Sequence, residues 1–221
     1  DTAHEPAGPL AYWNRYVGVV QMHGHGTFFD ERLIINGKPL RVDHRAGDDR
    51  ITSILPGLQA YQWSIAAPTL AQHGAQWGVA SDLDSQAVAR GQVLFRGQAN
   101  CVACHSGPAF TDVNSFGLHL ASASVALDKN YIKFSATRQW RTSPLKGLWQ
   151  HPPYFHDGSG ALNRATGKCM DGSDIGSLAG STDRVRQDLA CVVNRYNDPR
   201  EHHLGLTDAQ RVDLVEYLKS L

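Results

Sequence analysis

Apolar residues recur at helical spacing in two places along the chain. Over Ser85 to Phe95, Val88, Gly91 and Phe95 share one face, which predicts a helix, and Gly91 would let a second helix approach closely. Near the end, Thr207-Asp208-Ala209-Gln210 has the T-x-x-Q form of a capping box. Val212, Val215 and Leu218 follow at helical spacing, with Leu214 and Tyr217 widening the face, so a final helix is expected. Elsewhere the pattern is weaker. Residues 1 to 9 read as a loose lead because of Pro6, Gly8 and Pro9. Tyr12 to Met22 is apolar and aromatic and fits helix or strand equally. Residues 34 to 50 are polar, and Asn36-Gly37 is a turn signal able to join two short strands. Ile54 to Ala67, bounded by Pro56 and Pro68 and containing Trp63, reads as a short helix or an extended packing segment. Residues 113 to 136 carry little signal.

Composition narrows the class without deciding it. The 221 residues, 42% apolar, suffice for one large domain or two small ones. Lys plus Arg and Asp plus Glu balance at 21 each, so nothing argues for nucleic acid or an anionic membrane as the main partner. No apolar run reaches the ~18 to 20 residues of a membrane span. The sequence starts at Asp1 without a Met or a signal-like region, as expected of a processed protein or a piece of a longer one.

The chemistry concentrates at Cys101-Val102-Ala103-Cys104-His105. Two thiols at this spacing can each add across a vinyl group of one haem, and the adjoining imidazole then reaches the iron, so C-x-x-C-H reads as c-type haem attachment. A thioredoxin-like dithiol would want a βαβ surrounding, whereas a Gly-rich loop follows. A zinc site has Cys169 and Cys191 to draw on, but they are not a second close-spaced pair. Those two cysteines can instead pair with each other, which together with haem attachment fits an oxidising compartment; two buried free thiols are the alternative. His23-Gly24-His25-Gly26 invites a copper or zinc reading, but the glycines favour a turn and no third ligand is evident. His4, His44 and His73 read as surface or hydrogen-bonded residues. Gly107 and Pro108 force a loop after His105, and such loops commonly orient the imidazole through a backbone acceptor.

The Gly-x-x-x-Phe helix leading into C-x-x-C-H, closed by a final helix carrying Leu-x-x-Tyr, resembles cytochrome c. More specific are Thr142-Ser143-Pro144-Leu145-Lys146-Gly147-Leu148, Pro153-Tyr154-Phe155-His156-Asp157-Gly158-Ser159, Val192-Val193-Asn194-Arg195-Tyr196-Asn197 and Leu206-Thr207. In this order they resemble the second haem domain of bacterial di-haem cytochrome c peroxidases and the related MauG-type enzymes, as does Phe110-Thr111-Asp112. The resemblance implies a mainly α, cytochrome c-like haem domain over residues 82–221, with an insertion at about 160–191 tied by Cys169 and Cys191. An irregular N-terminal segment, residues 1–81, would pack on it. Within that segment Thr27-Phe28-Phe29-Asp30-Glu31-Arg32-Leu33 is similar to the stretch preceding the first haem motif of the peroxidases, yet that motif is lacking here.

The resemblance also implies roles. Arg138, Arg141 and Lys146 bracket a segment beside the haem, where a cation can pair with a propionate, although a solvated face is the simpler reading of each. Trp140 and Trp149 are core residues or part of an electron path. His156 would lie close to the haem, fixed by Asp157, and is a possible proton-transfer residue. The sixth iron ligand decides between carrier and catalyst. Tyr196 stands where MauG-type enzymes carry a tyrosine ligand; Met170, in the insertion, and Met22 are the alternatives, and an open site is a third. The function expected is that of a periplasmic mono-haem c-type cytochrome in one-electron transfer with redox partner proteins. A peroxidase-like or oxygen-activating enzyme is the rival, and a haem-bearing subunit of a larger complex is a further possibility.

Overall fold

The computed structural model describes residues 8–66, 68–112, 119–120 and 139–221. The loose lead, His4, the weak stretch 113–136 and Arg138 therefore lie wholly or mostly outside the described residues. The chain divides into two compact units, Asp1–Ala66 and Ala67–Leu221, a boundary ahead of the expected one at 82.

In the first unit, helix α1 (Gly8–Tyr16) already begins at Gly8. Pro9 falls in its first turn, where a missing N–H is harmless, so Gly8 and Pro9 start a helix instead of belonging to a loose lead. The ambiguous stretch from Tyr12 is helical and runs on as one π-helical turn, Val17–Gln21. Strands β1 (Gly26–Ile35) and β2 (Lys38–His44) pair antiparallel, longer than the short strands expected. Asn36 and Gly37 join them with φ of 52° and 75°, the left-handed pair that a two-residue hairpin turn requires. Phe28 points inward against the edges of the Tyr12 and Tyr16 rings at 5.4 and 5.3 Å. Asp30, also inward, is tolerated there because the Tyr12 hydroxyl donates to its carboxylate at 2.7 Å. Helix α2 (Leu55–Ser64) buries none of its residues fully.

The second unit holds the larger core. Its helices are the short α3 (Leu70–His73), α4 (Ser85–Arg96), α5 (Arg184–Asn197) and α6 (Asp208–Ser220). Among the described residues two short pairings lie between these helices, β3 (His119–Leu120) with β4 (Gln139–Trp140) and β5 (Leu162–Asn163) with β6 (Lys168–Cys169), besides the isolated bridge of Tyr154 and Gly160. Helices and a long hairpin together make this a mixed helix-and-strand chain, which corrects the expectation of a mainly α one.

Helices α4 and α6 cross at Gly91. A Cβ there would stand 2.0 Å from the Asp213 carbonyl oxygen and 2.7 Å from the Tyr217 Cβ, so only glycine permits this approach. Beside the crossing, Arg90 grips Asp213 through two hydrogen bonds of 2.8 and 2.7 Å. Phe95, Leu189, Val193, Leu214, Val215 and Trp149 fill the interior. The expected capping box is present: Gln210 N–H donates to the Thr207 hydroxyl and Thr207 N–H to the Gln210 side chain.

Helix α5 is the main element the sequence reading missed: its residues up to Cys191 fall within the expected insertion. Asp183 caps it, accepting from the Val185 and Arg186 N–H groups. The same carboxylate receives the fully buried Lys219 ammonium at 2.5 Å and Arg186 at 3.0 Å, and Arg186 also donates to Glu216. These charges are kept inside by being paired with one another. The expected disulfide joins Cys169 to Cys191, tying β6 to α5.

Candidate cofactor site

After Arg96 the chain turns through Asn100, in a left-handed conformation, into a single 3-10 turn, Cys101–Ala103. The turn closes with Cys104 N–H and His105 N–H both donating to the Cys101 carbonyl, at 3.2 and 2.8 Å, which gathers the two thiols and the imidazole at one place. Both thiols are free and half-buried. Burial pushes the Cys101 thiol up to about 11 from its ordinary 9.0, and burial likewise raises Cys104. A redox dithiol needs the opposite, a thiol made acidic by its surroundings, so the pair is unsuited to that role.

The His105 imidazole is oriented by the loop that follows. Its Nδ1 lies 3.0 Å from the Phe110 carbonyl oxygen. Since that oxygen can only accept, Nδ1 carries the proton and the lone pair of a neutral ring resides on Nε2, the tautomer a metal-binding histidine needs. Phe110 adopts a left-handed φ of 54° in offering this carbonyl, and its ring meets Phe95 edge-on at 6.0 Å, which links the loop to the core. Next along, the Thr111 hydroxyl donates to the Thr142 carbonyl at 2.7 Å. That bond brings the segment carrying Arg141 against the loop; Arg141 and Lys146 are both exposed.

Tyr196 belongs to the same place. Burial raises its phenol above the ordinary range, and the neighbouring Cys101 and Cys104 thiols and the Glu201 carboxylate raise it further, against Arg195. Yet 36% of the residue is open to solvent. Phe155 stands 6.0 Å away on one side and His202 5.1 Å away on another, ring centre to ring centre. His156 is exposed and stacks on Trp140 at 4.4 Å. Asp157 accepts from Ser159 N–H at 2.9 Å, so the hydrogen bond described for it caps its own turn and does not run to His156. Burial pulls the Asp157 carboxyl upward, but the Ser159 hydrogen bonds prevail and hold it below the ordinary value.

The two methionines are placed less favourably. Met170 is 57% exposed within the disulfide-tied segment, and Met22 is 73% exposed in the first unit, after the π-helical turn. Among the described residues no three His, Cys, Asp or Glu side chains form a group able to hold a metal ion. His23 lies against His44 at 4.7 Å, and His25 is engaged by Asp48 at 3.1 Å. No described helix is long and apolar enough to cross a membrane.

Sequence reasoning missed Gln98 and His202. Gln98 donates to the Leu204 and Gly205 carbonyls at 3.2 and 2.9 Å, fastening the turn before Cys101 to the loop between α5 and α6. No local pattern announces such a contact. Comparison with family models, curated proteins and solved structures finds no match for this chain.

Proposed function

We propose that the second unit is a cytochrome c-like domain carrying one covalent haem c, and that the protein is a periplasmic one-electron carrier. The observation that carries the reading is the His105 imidazole within C-x-x-C-H, its Nδ1 donating to the Phe110 carbonyl so that the lone pair of the neutral ring is on Nε2. The α4–α6 crossing at Gly91, beside that motif, supports the fold assignment.

The residues present fit the group. Cys101 and Cys104 would hold it through thioethers, which need no thiolate once formed, and His105 would supply the proximal nitrogen. Tyr196, beside both thiols, is the favoured distal ligand; a nearby ferric iron would reverse the upward pull on its phenol, as bound cations do. Met170 and Met22 are less suited because each lies exposed away from the C-x-x-C-H turn in sequence and element. Arg141 is the better of the two candidates for a propionate, since Thr142 is tied to the His105 loop; Lys146 is the second. His156, exposed on Trp140, is the candidate proton-transfer residue.

When bound, haem supplies a one-electron iron couple; the chain sets its potential, access and docking. With both axial positions filled by protein there is no place for a substrate, which favours a carrier over a peroxidase-like enzyme. Partners are then redox proteins meeting the exposed haem edge through a small transient contact. The Cys169–Cys191 disulfide supports an oxidising compartment.

Ferric and ferrous absorption spectra of the matured protein test the proposal. A phenolate charge-transfer band that disappears in Tyr196→Phe is expected, with slow cyanide and carbon monoxide binding. Colourless protein, or fast peroxide turnover by the isolated chain, would reject it.

A further inference from the structure

The loop between α5 and α6 carries a second nitrogen donor next to Tyr196. Its neck is clamped: Asn197 donates to the Leu206 carbonyl at 3.2 Å and accepts from Leu206 N–H at 2.8 Å. Inside it, Glu201 and His203 N–H groups donate to the Asp198 carbonyl, at 2.9 and 3.3 Å. Arg200 folds back on the Asp198 carboxylate with bonds of 2.9 and 2.8 Å. Its C-terminal side is pinned by Gln98, three residues before Cys101. The loop is therefore closed at its neck and tied to the attachment segment on its C-terminal side, and it sets the exposed His202 ring 5.1 Å from Tyr196, tilted by 34°. Among the described residues neither ring nitrogen of His202 holds a hydrogen bond.

We infer that His202 is a second distal donor, able to take the sixth iron position when the Tyr196 phenol leaves it. This rests on the haem reading above and deepens it. The distal side would then offer an oxygen ligand from the end of α5 and a nitrogen ligand from the loop that follows it. Phenolate favours ferric iron and imidazole does not share that bias, so the same site has two potentials available.

The test compares matured Tyr196→Phe with Tyr196→Phe/His202→Ala by ferric absorption, electron paramagnetic resonance and cyanide binding. Tyr196→Phe is expected to be low-spin with two nitrogen ligands, and to bind cyanide at least about tenfold more slowly than the double variant, which should be high-spin. Identical spin states and cyanide rates in the two would overturn the inference. Should Tyr196→Phe leave the wild-type spectrum unchanged, the tyrosine assignment fails separately, and His202→Ala alone decides: loss of low-spin haem supports the imidazole, no change sinks it. His202 is exposed, and far-UV circular dichroism of each variant checks that the fold survives.

Discussion

The two units solve the problem of staying folded very differently. The second surrounds the α4–α6 crossing with a continuous interior reaching from Leu70 to Leu218 and adds a buried ion cluster and a disulfide. Among the described residues the first has a core of Tyr12, Val19 and Phe28, with Tyr16, Val20, Leu40, Val42 and Ile51 around it, while Phe29, Ile34, Tyr61 and Trp63 are more than half exposed. Apolar content is thus a poor guide to stability. What matters is how much of it is removed from water, and the first unit leaves much of its share outside.

Five perturbations would break or sharpen that contrast. Gly91→Val drives a branched side chain into the Asp213 carbonyl and should cost at least about 4 kcal/mol, seen as loss of the second unit's cooperative melting. Phe28→Ala should cost about 3 to 4 kcal/mol and, given so small a core, unfold the first unit while the second keeps its protection from hydrogen exchange. Replacing both Cys169 and Cys191 by Ser should lower the second unit's stability by about 3 kcal/mol in urea titrations, as expected for a closed loop of this length.

Alkali gives a smaller effect. In the haem-free chain the folded Cys101 thiol titrates near 11 and the unfolded one near 9.0. Between those values the unfolded state has released a proton that the folded state retains, so stability falls as pH rises, by up to about 2 kcal/mol at the upper limit. On the proposed haem attachment the fall should be absent once both sulfurs are thioethers, which cannot ionise; urea melts at pH 8.5 and 10.5 measure it. Smallest, Thr207→Ala removes half of the α6 capping box and should cost about 1 kcal/mol in thermal melts of the second unit.

Features written in adjacent residues were legible in the sequence. The hairpin turn at Asn36-Gly37, the box at Thr207 and Gln210, and the close approach at Gly91 all depend on residue types with one local job. Helix α5 was also signalled, by Asp183 as a cap and by Val185, Leu189 and Val193 four apart, but Arg186, Asp188 and Asn194 interrupt its inward face. Those polar residues are inside only because distant partners meet them: Glu216 for Arg186, Arg164 for Asp188 and the Asp174 carbonyl for Asn194. Likewise C-x-x-C-H was plain, whereas the His202 ring beside Tyr196 depends on a loop shaped by Asn197 and Gln98. Pairings across long stretches of chain leave no periodic trace.

The four sulfurs differ in how far a reductant can reach them. Cys169 and Cys191 are 3% and 2% exposed, while Cys101 and Cys104 are only partly covered. Thiol exchange needs in-line access by the attacking sulfur, so a mild thiol can keep the outer pair available for modification without opening the inner cross-link. The fold thereby sorts its own cysteines into one shielded cross-link and one pair left within reach of modification, with no need for a reagent that recognises either.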